Sequence, residues 1–157
     1  MINLVRIDHR LLHGQVAFAW TKSLGTDCIL IANDEVAKDS LRMSALRMAA
    51  PSGVKLVIKS LEDSIKALNS GATDKYRLMI IVESIKDADE LTKQVTTIKE
   101  VNLGGVKAEN GKKQISMAVF VSPDEIERLK DMNDRGISIE VKMVPEDKGQ
   151  NAIDLIK

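Results

Sequence analysis

Short runs of aliphatic and β-branched residues alternate along this chain with stretches whose apolar positions recur every three to four residues. The runs fall at residues 2–7, 27–32, 55–58, 77–82 and 100–103, and most are continuous enough to read as strands buried on both faces. Helical patterns lie between them. The first covers about residues 14–24, where Val16, Ala19, Trp20 and Leu24 share a face and Gly25 stands ready as a C-cap. The second, 34–49, places Leu41, Ala45, Met48 and Ala49 on one side, which is predicted to be its core face, and stops before Pro51. Shorter helices are predicted at 61–69 and 87–97. This rhythm makes βαβ units, and so a mainly parallel sheet of about five strands between two helical layers.

After Leu103 the pattern changes. Gly104 and Gly105 open a polar stretch, residues 109–112 read as a turn, and 115–121 reads as a strand, so an antiparallel excursion is expected in this C-terminal part. Ser122-Pro123-Asp124-Glu125 is a strong helix start, with a capping Ser, Pro at the first helical position and Glu completing a capping box. That helix should end near Gly136. Residues 137–143 alternate apolar and polar positions as a half-buried edge strand does, and a polar tail follows with a last helical turn at 152–156. The fold class is therefore a three-layer α/β/α arrangement, and 157 residues without a linker or repeat imply one domain over 1–157.

Composition narrows the function classes. The 23 basic and 23 acidic residues balance, which argues against a polyanion binder, and one Trp, one Tyr and two Phe leave few rings for stacking on single-stranded bases. No nucleic-acid partner is expected. Cys28 is the sole cysteine and lies in an apolar run, so no disulfide framework or thiolate metal site forms within the chain, and a reducing cytoplasm fits. No apolar run nears the ~20 residues that span a bilayer, and no leader pattern opens the chain, so a soluble, non-exported protein is expected. Met43, Met48, Met79, Met117 and Met143 read as core filler. No P-loop, dinucleotide fingerprint or metal-ligand set is present, and no cofactor is expected.

The candidate chemistry lies at residues 5–16, V-R-I-D-H-R-L-L-H-G-Q-V, which hold both histidines at the junction of the first strand and the first helix. Ligands of α/β proteins bind at the carboxyl ends of strands, where helix N-termini offer N–H groups to anions. An imidazole beside guanidinium groups there points to phosphate. His13 can act as a nucleophile towards phosphorus, holding the group as a labile N–P bond, and the fork of Arg10 can grip two phosphate oxygens. Backbone N–H groups at Gly14 and Gln15 would add anion stabilisation. Asp8 has two open roles, fixing the tautomer of His13 or pairing with Arg10. His9 is expected to be exposed and minor. Arg6 reads as solvent-facing or paired with an acid on a neighbouring strand, with a supporting role behind the site as the alternative. Asn33, Asp34, Gly104 and Gly105 could reach the same crevice rim, although turn formation and helix capping are favoured for them.

R-I-D-H-R-L-L-H-G-Q-V resembles the motif of the IIB components of the mannose/fructose/sorbose family of the bacterial sugar phosphotransferase system, which reads approximately R-I-D-D-R-L-I-H-G-Q-V. The resemblance continues in I-A-N-D-E-V-A at 31–37, A-A-P-S-G-V-K at 49–55 and N-L-G-G at 102–105, and covers essentially the whole chain. It implies that His13 accepts a phosphoryl group on Nδ1 from a phosphohistidine of a IIA protein or domain. It also implies contact of Arg10 with that group, and donation to a sugar imported through membrane subunits IIC and IID, at the cytoplasmic side of the membrane. The implied fold is a parallel sheet flanked by helices. His9 is the departure, standing where the family commonly has Asp. Hexoses and amino sugars both stay open as substrates, with a slight overall likeness to N-acetylgalactosamine-type members, and a homodimer stays open as well. The alternative reading is a non-catalytic or regulatory α/β module that binds a phosphorylated metabolite at the same site.

Overall fold

The computed structural model describes all 157 residues. Its elements run β1 (Ile2–Asp8), α1 (Gly14–Leu24), β2 (Cys28–Ala32), α2 (Ser40–Ala49), β3 (Lys55–Lys59), α3 (Leu61–Ser70), β4 (Leu78–Val82) and α4 (Ile85–Gln94). They continue with β5 (Glu100–Gly105), β6 (Lys113–Ser116), β7 (Val119–Val121), α5 (Pro123–Asp134), β8 (Ser138–Val141), β9 (Gln150–Asn151) and α6 (Ala152–Ile156). The main sheet has the order β3-β2-β4-β1-β5-β8-β9, parallel throughout except for β9, which pairs antiparallel with β8. The antiparallel excursion is the β6–β7 hairpin. The capping box at Ser122 forms as expected, and Gly25 closes α1 in a left-handed conformation.

Several expectations are corrected. The parallel strands number six rather than five, because β8 docks on β5 in parallel and is covered on its outer side by β9. Its half-buried alternation comes from a face without a helix, not from an edge position. Gly104 and Gly105 belong to β5 and are buried, instead of opening a polar loop. The expected strand at 115–121 is broken by a turn at Met117 and Ala118, which leaves Met117 exposed.

The expected helix at 34–49 is split into a single 3-10 turn at Val36–Lys38 and α2, whose start is capped by the Asp39 carboxylate accepting from Leu41 N–H and Arg42 N–H. The face predicted for its core points outward: Leu41 is 80% exposed and Met48 is 89% exposed. Of the four residues expected there only Ala49 packs inward, together with Met43, Leu46 and Ala50. Both sets satisfy helical spacing, so periodicity could not choose between them.

The two helical layers are unequal. Helices α3, α4, α5 and α6 close a core of 27 buried residues on one face, whereas α1 and α2 close one of 9 on the other. On the thinner side nothing helical covers β5 and β8. A groove of about 510 Å³ remains there, lined by Leu4, Trp20, Asn102, Glu140 and Lys142 among others. In β1, Val5 and Ile7 join the larger core, so the alternating Arg6 and Asp8 project to the thinner side. Arg6 lies across β5 at Gly104, where a Cβ would overlap its guanidinium. The missing side chain is the space the arginine occupies.

Two stability measurements check this packing. Leu46→Ala should lower the urea-unfolding free energy by roughly 2 kcal/mol, while Leu41→Ala should change it by less than about 0.5 kcal/mol; the reverse order would contradict the assigned face of α2. Gly104→Ala should destabilise the protein by about 1–3 kcal/mol through overpacking on Arg6, and an unchanged unfolding midpoint would disprove the close approach.

Candidate functional site

Asp8 ends β1 and organises everything around it. Its side chain is fully buried, and each oxygen accepts two hydrogen bonds. Oδ2 takes Arg6 Nη2–H at 3.0 Å and His13 Nε2–H at 3.2 Å. Oδ1 takes the Arg10 backbone N–H at 2.9 Å and Arg10 Nε–H at 3.3 Å. Both contacts considered for Asp8 are thus present, one on each oxygen.

Arg6 is 1% exposed, which corrects the solvent-facing reading: its acid is Asp8 on its own strand, two residues on. Its other terminal nitrogen donates to Asn102 Oδ1 at 2.6 Å and to the Lys142 carbonyl at 3.3 Å. Asn102 in turn donates to the same carbonyl at 2.9 Å. The Trp20 ring, held by its Nε1–H on the Met143 carbonyl, stands 5.8 Å from the guanidinium carbon. Asn102 and Trp20 were not singled out from the sequence for the site. The available signal was a polar side chain in the middle of an otherwise apolar strand, V-N-L-G-G.

The loop from His9 to His13 is pinned by two buried leucines, Leu11 and Leu12, in the core under α1. Leu11 has φ 59°, the one non-glycine residue in the left-handed region. That conformation costs about 1–2 kcal/mol for an L-residue, and the Leu11 N–H to Asp8 C=O bond at 2.9 Å together with burial holds it in place. The result is a tight return that brings His13 back over Asp8.

His13 is the N-cap residue of α1, yet its side chain caps nothing. The other α-helices are capped by Asp39, Ser60, Ser84, Ser122 and Asn151 side chains. The first turn of α1 holds no acid either, so the N–H groups at Gly14 and Gln15 are left for an outside acceptor. A Cβ on Gly14 would meet nothing within 4 Å.

Burial by itself raises the Asp8 carboxyl, but the Arg10 N–H, the charge of Arg6 and the bonds from Arg10 and His13 outweigh it and hold the group below its ordinary value. An ionised carboxylate has no proton to give, so His13 Nε2 must carry the hydrogen. His13 Nδ1 is then a free lone pair, unpaired and open to solvent. Burial, aided by the charges of Arg10 and Arg6, lowers the His13 imidazole below its ordinary value despite Asp8, which favours the neutral ring. Arg10 is exposed and its terminal nitrogens hold no partner.

The other expected residues divide. Gly105 lies beside Asp8 and His9, and Gly104 beneath Arg6, so both border the site. Asn33 and Asp34 do not join it: Asn33 accepts from Val36 N–H and donates to Glu83, and Asp34 accepts from Leu61 N–H. They serve the turn and the capping that were favoured for them. His9, expected to be exposed, is half-buried, and its Nδ1 is fully covered without a partner.

Comparison with known proteins identifies the family. The family model described as PTS system sorbose subfamily IIB component matches residues 2–157. A probable phosphotransferase enzyme IIB component of Streptococcus pyogenes is 41% identical over 138 residues, covering 84% of each chain. The mannose-specific EIIAB component of Escherichia coli is 37% identical over 99% of this chain, which spans 48% of that longer protein. The crystal structure of the IIBSor domain of the sorbose permease from Klebsiella pneumoniae superimposes with a TM-score of 0.94 at 32% identity, covering 99% of this chain and 96% of that one. The chain belongs to the sorbose subfamily of IIB components of the sugar phosphotransferase system.

Proposed function

We propose that His13 is the phosphoryl carrier: it accepts the group from a phosphohistidine of a IIA protein or domain and passes it to a sugar during uptake through IIC and IID. The observation that carries this reading is the bond from His13 Nε2–H to Asp8, which leaves Nδ1 as the nucleophile. As the Nδ1 lone pair forms the new N–P bond, the donor's N–P bond breaks and its electron pair returns to the donor ring. No proton needs to move. The phosphorylated His13 ring is cationic with hydrogen still on Nε2, and the Asp8 carboxylate offsets that charge. Reversal of the same step towards a sugar hydroxyl completes the relay, the sugar's proton leaving with solvent or a base of the membrane subunits.

Phosphoryl transfer asks mainly for positioning and neutralised oxygens. Arg10 supplies a permanent charge with two unpaired nitrogens, and Gly14 and Gln15 supply N–H groups at the positive end of α1. Arg6, Asn102, Gly104 and Gly105 act behind them by keeping Asp8 in place. A partnership with IIA is supported by the Escherichia coli relative, whose name joins A and B components in one chain. No helix is long and apolar enough to cross a membrane; in this reading separate membrane subunits hold the sugar and the protein works at the cytoplasmic side. The relatives' names carry different sugars, mannose and sorbose among them.

Incubation with labelled phospho-IIA should place acid-labile phosphate on the wild type and on His9→Ala but not on His13→Ala. Label retained in His13→Ala and lost in His9→Ala would reverse the assignment, and no covalent label on either would favour a phosphometabolite-binding module. The acid limb of the single-turnover transfer rate should lie below the ordinary imidazole value of 6.5, because the neutral ring persists above a folded-state value that burial has lowered. A limb at or above that value would contradict the neutral nucleophile.

A further inference from the structure

The site contains one polar atom with nothing to do. His9 Nδ1 is buried and unpartnered, and it lies 4.0 Å from Asp8 Oδ1, just beyond hydrogen-bond reach. The backbone of His9 is fixed beside β5 by its N–H on the Gly105 carbonyl at 3.0 Å. A Cβ at Gly105 would stand 3.4 Å from His9 Nδ1 and 3.4 Å from Asp8 Oδ1 alike, so the glycine leaves open the space these two atoms face. Closing the gap needs a movement of about 1 Å, within a small rotation of the imidazole.

The Asp8 carboxylate has four acceptor positions, and in the resting site all are used. One of them is held by Arg10 Nε–H at 3.3 Å, the longest of the four. The same guanidinium is the group required on the phosphoryl oxygens. When it swings outward, Oδ1 keeps only the Arg10 backbone N–H, and a fully buried carboxylate loses a charge-assisted bond when the His13 ring most needs a complete anion.

Resting on the phosphocarrier reading above, we propose that His9 is a positioning residue: its Nδ1–H takes over Asp8 Oδ1 when Arg10 turns to the phosphoryl group. Two donors then share one acceptor position in turn. Asp8 stays fully paired, His13 stays protonated on Nε2, and Arg10 is free to move without leaving an unsatisfied buried charge. No bond is made or broken beyond this exchange of hydrogen bonds.

Long-range proton–nitrogen NMR on the full chain, before and after phosphorylation by phospho-IIA, reads the exchange directly. His9 should shift to the tautomer protonated on Nδ1, with that proton moved downfield by hydrogen bonding, only in the phosphorylated protein. In single-turnover assays His9→Ala should slow transfer about ten-fold, the range of one lost charge-assisted bond partly replaced by water, with the concentration of phospho-IIA at half-maximal rate unchanged. His9→Asn, whose side-chain N–H₂ occupies the place of Nδ1, should restore most of the rate. A phosphorylated protein whose His9 spectrum is unchanged, or equal rates in His9→Ala and wild type, would overturn the exchange while leaving the carrier role intact. Failure of the wild type to become phosphorylated would instead strike the carrier reading itself.

Discussion

The buried pair between Arg6 and Asp8 is the constraint on which the rest of the site depends. Both side chains are essentially inaccessible, and a charge in such a place is tolerable only if it is paired and fully hydrogen-bonded. Removing one partner of a buried pair commonly costs about 3–5 kcal/mol, yet a well-packed apolar pair of similar volume is often just as stable. Stability therefore does not explain the charges. Their geometric consequence does: Arg6 fixes Asp8 Oδ2 at the end of β1, and Oδ2 in turn fixes the proton of His13 on Nε2.

The sheet topology decides where that pair can sit. β1 lies between β4 and β5, and its connection leaves towards α1 on the thinner side, whereas the connection from β4 leaves towards α4 on the opposite side. Such a divergence opens a crevice at the carboxyl ends of the strands. Because helices cover the thinner side only over β3, β2, β4 and β1, the face of β5 and β8 can hold Asn102 and the Lys142 carbonyl against Arg6. A helix packed there would have required apolar residues in their place.

What the sequence shows well is local. β2 and β4 read C-I-L-I-A and L-M-I-I-V, continuous apolar runs that only strands buried on both faces need, and the Ser-Pro-Asp-Glu start of α5 carries its own capping chemistry. The reactive loop was equally legible, since two histidines and an arginine at a strand-to-helix junction are rare enough to point to chemistry. What escaped is relational. Asn102 meets Arg6 across 96 residues of sequence, and Gly104 makes sense only once the arginine on the neighbouring strand is known to lie over it. Two sets of apolar positions in α2 satisfy helical spacing, so its orientation shows only in the packing of Met43 and Leu46 against the core. β8 looked like an edge because its pairing with β9 is only two residues long and follows an irregular stretch.

The two oxygens of Asp8 divide the work between permanence and exchange. Oδ2 faces groups that do not move: Arg6, locked by Asn102 and the Lys142 carbonyl, and His13, locked at the start of α1 by the strained Leu11 return. Oδ1 faces the outer side, where the side chain of an exposed arginine rests on it through one long bond and the covered Nδ1 of a half-buried imidazole stands nearby without one. A carboxylate held by fixed donors alone would orient the histidine but offer no restraint on Arg10. One held by mobile donors alone would lose the tautomer whenever the arginine left. In the proposed relay, splitting the two demands between two oxygens of one side chain keeps the histidine ready for attack while the cation beside it follows the phosphoryl group.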